Sequence, residues 1–128
     1  MILHKKSKPE LIIFVSGPLG IRDGLSTEAI ENNVLTANKY GARIFGAGHI
    51  AIIPHNYYYT YKHLAVPMSE PQWLNKCIDL LVLCDAMFMI PGWDNSYGAT
   101  REREEAMLLQ ILIFQDIEKL EAWDGIDR

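Results

Sequence analysis

The chain has 128 residues, 49% hydrophobic and 22% charged, with a formal net charge of −4 at pH 7. That length suits one domain able to bury a core without disulfide or metal staples. The negative balance argues against a surface that neutralises nucleic-acid phosphates. No apolar run reaches the roughly 18 residues of a membrane span, and the opening MILHKKSKPE has no signal-peptide apolar region. A soluble, cytoplasmic protein is expected, with no nucleic-acid or membrane partner.

Residues 1–9 carry the only basic cluster, Lys5, Lys6 and Lys8, and are expected to form a flexible solvated arm ahead of a single domain spanning the chain. Leu11 to Val15 is a short continuous apolar run ending in Ser16-Gly17-Pro18, a strand buried on both faces and then a loop. Ser26 or Thr27 opens a helix with Ile30, Val34, Ala37 and Gly41 on one side, ending near Gly46 or Gly48. Ile50 to Ile53, stopped by Pro54, is a second strand. The aromatic stretch His55 to His63 reads as a long loop, either a lid over a planar ligand or part of a subunit interface. Ser69 with Glu70 and Pro71 starts a helix whose apolar face is Leu74, Cys77, Ile78 and Leu81. Ala86 to Ile90, stopped by Pro91, is a third strand; a helix over Tyr97 to Leu109 and a strand over Ile111 to Phe114 complete the pattern.

Short apolar strands alternating with helices predict an α/β fold, a three-layer flavodoxin- or Rossmann-like parallel sheet of four to five strands with helices on both faces. Ligands of such sheets bind at the carboxyl ends of the strands where the strand order reverses. Three loops answer that description: Gly17 to Gly24, Pro54 to Met68, and Pro91 to Ser96.

Several familiar patterns fail. Gly46-Ala47-Gly48-His49-Ile50-Ala51 matches the dinucleotide fingerprint by letter but follows a helix and precedes a strand, the reverse of what the chemistry requires. No Walker A sequence is present. His49, His55 and His63 lack helical i,i+4 placement and a completing ligand, so no metal and no cofactor is expected. Cys77 and Cys84, in apolar surroundings without Cys-x-x-Cys spacing, read as core residues. Ser96 has neither the Gly-x-Ser-x-Gly elbow nor a partner base to act as a nucleophile.

What remains is Ile90 to Ala106, where an apolar segment breaks into a Gly/Asn/Ser turn and a charged helix begins. Free N–H groups at a helix start form an anion site, and a carboxylate in the first turn tends to stay ionised. Glu102 is placed there, at a pocket rim. In the plainer reading Asp94, Asn95 or Ser96 merely caps the helix and Glu102 is a solvated first-turn acid.

Phe14-Val15-Ser16-Gly17-Pro18, the helix carrying Asn33 and Ala37, Cys84-Asp85-Ala86, and Pro91-Gly92-Trp93 through Ser96-x-Gly98-x-x-x-Glu102-x-x-x-Ala106 together resemble the nucleoside 2-deoxyribosyltransferase-like superfamily. The likeness is nearest to its small phage and bacterial branch, domain of unknown function 4406, and runs from about Leu11 to Phe114. The resemblance implies a flavodoxin-like sheet, a homo-oligomer in which a neighbour helps close each site, and cleavage of an N-glycosidic bond with Glu102 as nucleophile. An ionised carboxylate suits that chemistry, because the oxocarbenium-like state at C1′ is stabilised by it or collapses to an ester while an acid protonates the departing base. Asp79, Asp85, Asp94 and His55 are candidates for the acid. In the resembled superfamily, transferases of free nucleosides carry Asp where this chain has Ser96, and nucleotide 5′-monophosphate N-glycosidases carry Ser. A hydroxyl accommodates a phosphate that a carboxylate would repel.

The expected function is therefore hydrolysis or transfer at the N-glycosidic bond of a (deoxy)nucleoside 5′-monophosphate, with Glu102 catalytic. Ser96 and Gly98 would meet phosphate or sugar, and Asp94 is counted among the substrate-binding residues. Gly17, Pro18 and Arg22 would line the other wall, with aromatics among Tyr57 to Tyr61 stacking on the base. Arg22 could instead pair with Asp23 at the surface. The rival expectations are a non-catalytic nucleotide sensor that kept the anion pocket, and a structural protein using the sheet edge or aromatic loop as an interface.

Overall fold

The apolar run after Glu10 forms β1 (Ile12–Ser16), and in the computed structural model, which describes residues 10–125, it sits in the middle of a parallel sheet. The arm expected over residues 1–9 lies outside the described residues. β2 (Ile50–Ile52), β3 (Ala86–Met89) and β4 (Leu112–Phe114) complete four strands in the order β2-β1-β3-β4. The pairing register runs Ile13 with Ala86, Phe14 with Met87, Val15 with Phe88 and Ser16 with Met89. The two central strands are buried on both faces and the edge strands only partly, the distribution expected when helices cover both sides.

Side chains alternate across a strand, so β1 and β3 feed two separate cores. Ile13, Val15, Ala86 and Phe88 pack against Ala37 and Ile44 of α1 (Thr27–Gly46) and Ile117 and Leu120 of α5 (Ile117–Ala122). Phe14, Met87 and Met89 pack against Leu81 of α3 (Glu70–Leu81) and Ala99 and Ala106 of α4 (Tyr97–Leu108). The architecture is thus the three-layer α/β sheet predicted, with α1 and α5 on one face and α3 and α4 on the other. Ser16 shares the parity of Phe14, which sends its side chain toward the α3/α4 side.

Helix starts follow side-chain chemistry. Ser26 caps α1 by accepting from the Ala29 N–H at 3.1 Å. Ser69 and Gln72 form a reciprocal capping box on α3, with Pro71 in its first turn. Asp116 caps α5 through the Glu118 N–H at 2.9 Å, and Arg43 ties α1 to α5 by a two-pronged contact to Glu121 at 3.0 and 2.6 Å.

Two segments depart from the sequence expectation. The aromatic stretch is not an irregular loop: Pro54–Tyr57 is a 3₁₀ turn and α2 (Tyr58–Lys62) follows directly. Its residues carry no apolar stripe at helical spacing, and only Tyr58 of α2 is buried, packed with Ile30 and Val34 of α1. The second departure is α5, too short to show a period. Among the described residues no helix is long and apolar enough to cross a membrane.

Candidate functional site

β1 runs to β2 on one side and β3 lies on the other, so the strand order reverses between β1 and β3 and the loops leaving them diverge. A cavity opens there, of about 820 Å³ counting the space at its mouth. All three loops expected at the site reach it, through Gly17 and Leu19 to Asp23, through Pro54, His55 and Tyr61, and through Ser96. α3 adds Glu70, Trp73 and Cys77, and α4 adds Gly98 and Glu102.

Glu102 lies on the cavity wall, and only 7% of it is exposed. The helix starts at Tyr97, so Glu102 is in its second turn and not, as the sequence suggested, in the first. One turn further in, it points at the sheet rather than at the free N–H groups. The Ser16 hydroxyl at the end of β1 donates to Glu102 Oε1 at 2.8 Å. Burial pushes the carboxyl up to about 7, and the Ser16 hydrogen bond opposes but does not cancel that rise. The expectation of a carboxylate that tends to stay ionised is therefore corrected: near neutrality both forms are populated. The helix-terminus argument fails because its effect fades beyond the first turn, where desolvation takes over.

The start of α4 behaves as expected. Buried Ser96 caps it, its Oγ accepting from the Ala99 N–H at 3.2 Å. That leaves the hydroxyl proton free to donate. The N–H groups of Tyr97 and Gly98 have no acceptor within the helix, and both residues line the cavity. No acidic residue occupies the first turn. Gly92, at φ 94°, takes the left-handed conformation that turns the chain from β3 into a 3₁₀ turn over Trp93–Asn95, and the Ser96 cap follows.

The opposite lip is the β1 loop. Gly17 is required by close approach, since a Cβ there would fall 2.7 Å from Ile90 Cβ. The loop is held from behind by Asn33 of α1, whose Nδ2 donates to the Leu19 carbonyl at 3.0 Å. Arg22 lies on the lip with its guanidinium 3.9 Å from the centre of the Tyr97 ring, and it does not pair with Asp23.

Of the residues expected at the site, Glu102, Ser96, Gly98, Gly17 and Arg22 come together around the cavity. Pro18 and Asp94 do not line it. Pro18 contributes its carbonyl to His55 instead. Asp94 is exposed in the 3₁₀ turn, because the helical start that places Ser96 inward leaves its neighbour two residues earlier outside. The acid candidates fare no better. Asp79 is exposed on α3, and Asp85 sits at the amino end of β3, where it accepts from the Ile12 N–H at 2.8 Å. His55 lines the cavity, but its Nε2 is 3.2 Å from both the Gly17 and Pro18 carbonyls. Carbonyls only accept, so Nε2 carries the proton; burial lowers the ring pKa and keeps it neutral, with Nδ1 buried and unpaired. Of the tyrosines from Tyr57 to Tyr61, Tyr61 alone lines the cavity, while Tyr58 is core and Tyr57 and Tyr59 are exposed.

Sequence reasoning missed Ser16, Glu70 and Trp73 as wall or contact residues. Trp73 is flanked edge-on by Tyr57 and Tyr61, with ring centroids at 6.3 and 5.3 Å. Its i+3 spacing from Glu70 and i+4 spacing to Cys77 was the available sign that these residues share a helix face. Cys77 and Cys84 are free thiols, as expected of core residues, and Cys77 also touches the cavity. Burial, with a smaller contribution from the Glu102 charge, pushes its thiol up to about 12.

A family model, Domain of unknown function (DUF1937), matches residues 11–116. The chain belongs to this family. No curated protein and no solved structure matches it. The DUF1937 region spans β1 to the cap of α5 and so contains every cavity residue named above. The family's description names no activity, which leaves the chemistry of the cavity to indicate one.

Proposed function

We propose that this DUF1937 protein cleaves the N-glycosidic bond of a nucleoside 5′-monophosphate, with Glu102 as nucleophile. The observation that carries the reading is the buried Glu102 carboxyl, held by Ser16 in a cavity whose adjoining wall is an acid-free helix start. The likeness to the nucleoside 2-deoxyribosyltransferase-like superfamily supports the same assignment. The phosphate is taken by the Ser96 hydroxyl, the Tyr97 and Gly98 N–H groups and Arg22, all charge-compatible donors. That docking brings C1′ toward Glu102, one and a half turns deeper along the same helix.

In its ionised form Glu102 attacks C1′ as the bond to the base breaks, and Ser16 fixes the oxygen that does not attack. The base leaves with a proton from water at the open mouth, since Asp79, Asp85 and Asp94 lie outside the cavity and His55 holds its proton on two carbonyls. Water or a second base then opens the glycosyl ester, regenerating the carboxylate. The raised pKa suits an ester-forming carboxylate, because a more basic oxygen is the better nucleophile once ionised. Nucleotides as substrate agree with the cytoplasmic location expected. Exposed Val82 and Leu83 beyond α3, with Met107 and Leu108 at the end of α4, supply apolar surface for the expected homo-oligomer.

Incubation with a panel of nucleoside 5′-monophosphates, followed by chromatography for free base, tests the reading. Release that is abolished by Glu102→Ala while binding persists supports it. Tight binding with no base released would favour the sensing module, and absence of any nucleotide binding the interface protein.

A further inference from the structure

We infer that Glu70, at the first turn of α3, selects the nucleobase, and that the site is built for guanine. The inference rests on the nucleotide reading above and adds an orientation and a base to it. Two helix starts border the mouth, and they differ in charge. α3 satisfies its own terminus with the Ser69/Gln72 capping box and places Glu70 there. α4 has no acid in its first turn and has the Arg22 guanidinium against Tyr97. A phosphate is repelled from the first and drawn to the second. The ligand therefore lies with its phosphate at α4 and its base toward α3. Asp23, the other carboxylate of the lip, belongs to the β1 loop beside Arg22.

The base end has the shape and chemistry of a nucleobase subsite. Trp73 and Tyr61 line it, with Trp73 fixed between two tyrosine edges. Glu70, Leu74 and Cys77 fall on one stripe of α3 and all line the cavity. Cys77 and Glu102 line the same cavity from α3 and α4, which pack against each other, so Cys77 stands at the nucleophile's end of the stripe. Glu70 is two turns away along the helix, roughly 10 Å, which places it at the far edge of a base rather than at the glycosidic bond. Among the described residues Glu70 has no hydrogen-bond or ion-pair partner of its own.

A carboxylate only accepts, through two oxygens side by side. Guanine matches it, presenting the N1–H and an N2–H as neighbouring donors. Hypoxanthine keeps one of these donors. Adenine and cytosine set a donor beside an acceptor, and uracil sets its single N–H between two carbonyls, so each would turn a lone pair toward a carboxylate oxygen. Sites that hydrogen-bond a substrate group discriminate strongly against analogues lacking it.

The test is calorimetric titration of the full chain carrying Glu102→Gln, which stops turnover, with guanosine, inosine, adenosine, cytidine and uridine 5′-monophosphates in ribo and deoxyribo forms, and with ribose 5-phosphate. The expected result is guanine at least ten-fold tighter than hypoxanthine and tighter still than the rest. Adding Glu70→Gln should bring guanine within about two-fold of hypoxanthine and leave ribose 5-phosphate unchanged. No guanine preference, or one that survives Glu70→Gln and Glu70→Ala, overturns the base assignment while base release still judges the hydrolase reading separately. Failure of every nucleotide to bind overturns both.

Discussion

The Ser16–Glu102 pair joins residues 86 apart in sequence at 2.8 Å. Glu102 was legible as a candidate because a turn and a helix start precede it. Its burial was not, since that depends on β1 presenting the parity of Phe14 and Ser16 to α4, which no local pattern reveals. The consequence is a pH dependence with a definite sign. The folded carboxyl titrates at about 7 against an ordinary 4.5, so the folded state holds this proton more tightly than the unfolded chain. Stability from this group is complete below 4.5 and is lost as pH rises to about 7, by about 3 kcal/mol. Urea unfolding at pH 4.5, 6 and 8 should show that loss in the wild type and a matching flattening in Glu102→Gln. Equal pH dependence in both would mean the carboxyl is not desolvated. Base release should rise with pH through about 7 as Glu102 ionises. Ser16→Ala removes the bond that favours the anion, so the midpoint of that rise should move upward; an unmoved midpoint would detach Ser16 from the titration.

At the scale of elements, the helix starts were the most legible feature. Ser69 caps its helix as the sequence indicated, and Ser26 and Ser96 are the caps chosen from the alternatives Ser26 or Thr27 and Asp94, Asn95 or Ser96, because an N-cap is local chemistry. What escaped were the 3₁₀ turn at Pro54, α2 and α5, elements too short to carry a period and stabilised by what they pack on. The missed turn is what puts His55 and Tyr61 at the cavity. Ser96 has two duties, capping and phosphate donation, which substitution can separate. Ser96→Ala should cost about 1 kcal/mol of stability through the lost cap and also weaken binding of 5′-monophosphates. Ser96→Asp keeps a good cap, so thermal unfolding should stay near the wild type, yet it sets a carboxylate where the phosphate docks. Its affinity for nucleotides should fall at least ten-fold while that for the matching nucleosides is retained. A parallel loss of both would remove Ser96 from the phosphate site.

At the scale of the whole molecule, the sheet separates two cores that share a backbone but not a function. The succession of strands and helices was readable from short apolar runs alternating with helical patterns; which face would carry the site was not, because it depends on strand parity and on α3 and α4 covering the same side. Phe88 belongs to the α1/α5 core, in ring contact with Tyr40 at 4.9 Å, whereas Phe14 lies in the α3/α4 core two residues before Ser16. Both are fully buried or nearly so, and truncating either to Ala should cost about 3–5 kcal/mol. That is a large share of the about 5–15 kcal/mol of a typical domain, but it leaves a folded population to titrate. Loss of Phe88 leaves Ser16, Glu102 and the start of α4 on the untouched face, so nucleotide affinity measured well below the unfolding temperature should match the wild type. Loss of Phe14 leaves a void beneath α4 into which its inner face can settle, drawing Glu102 away from Ser16. Phe14→Ala should therefore combine an equal stability loss with weaker nucleotide binding, read by urea unfolding and calorimetry on the same samples. If Phe88→Ala weakens binding as much as Phe14→Ala does, the two cores are coupled through the sheet and the site does not belong to one face alone.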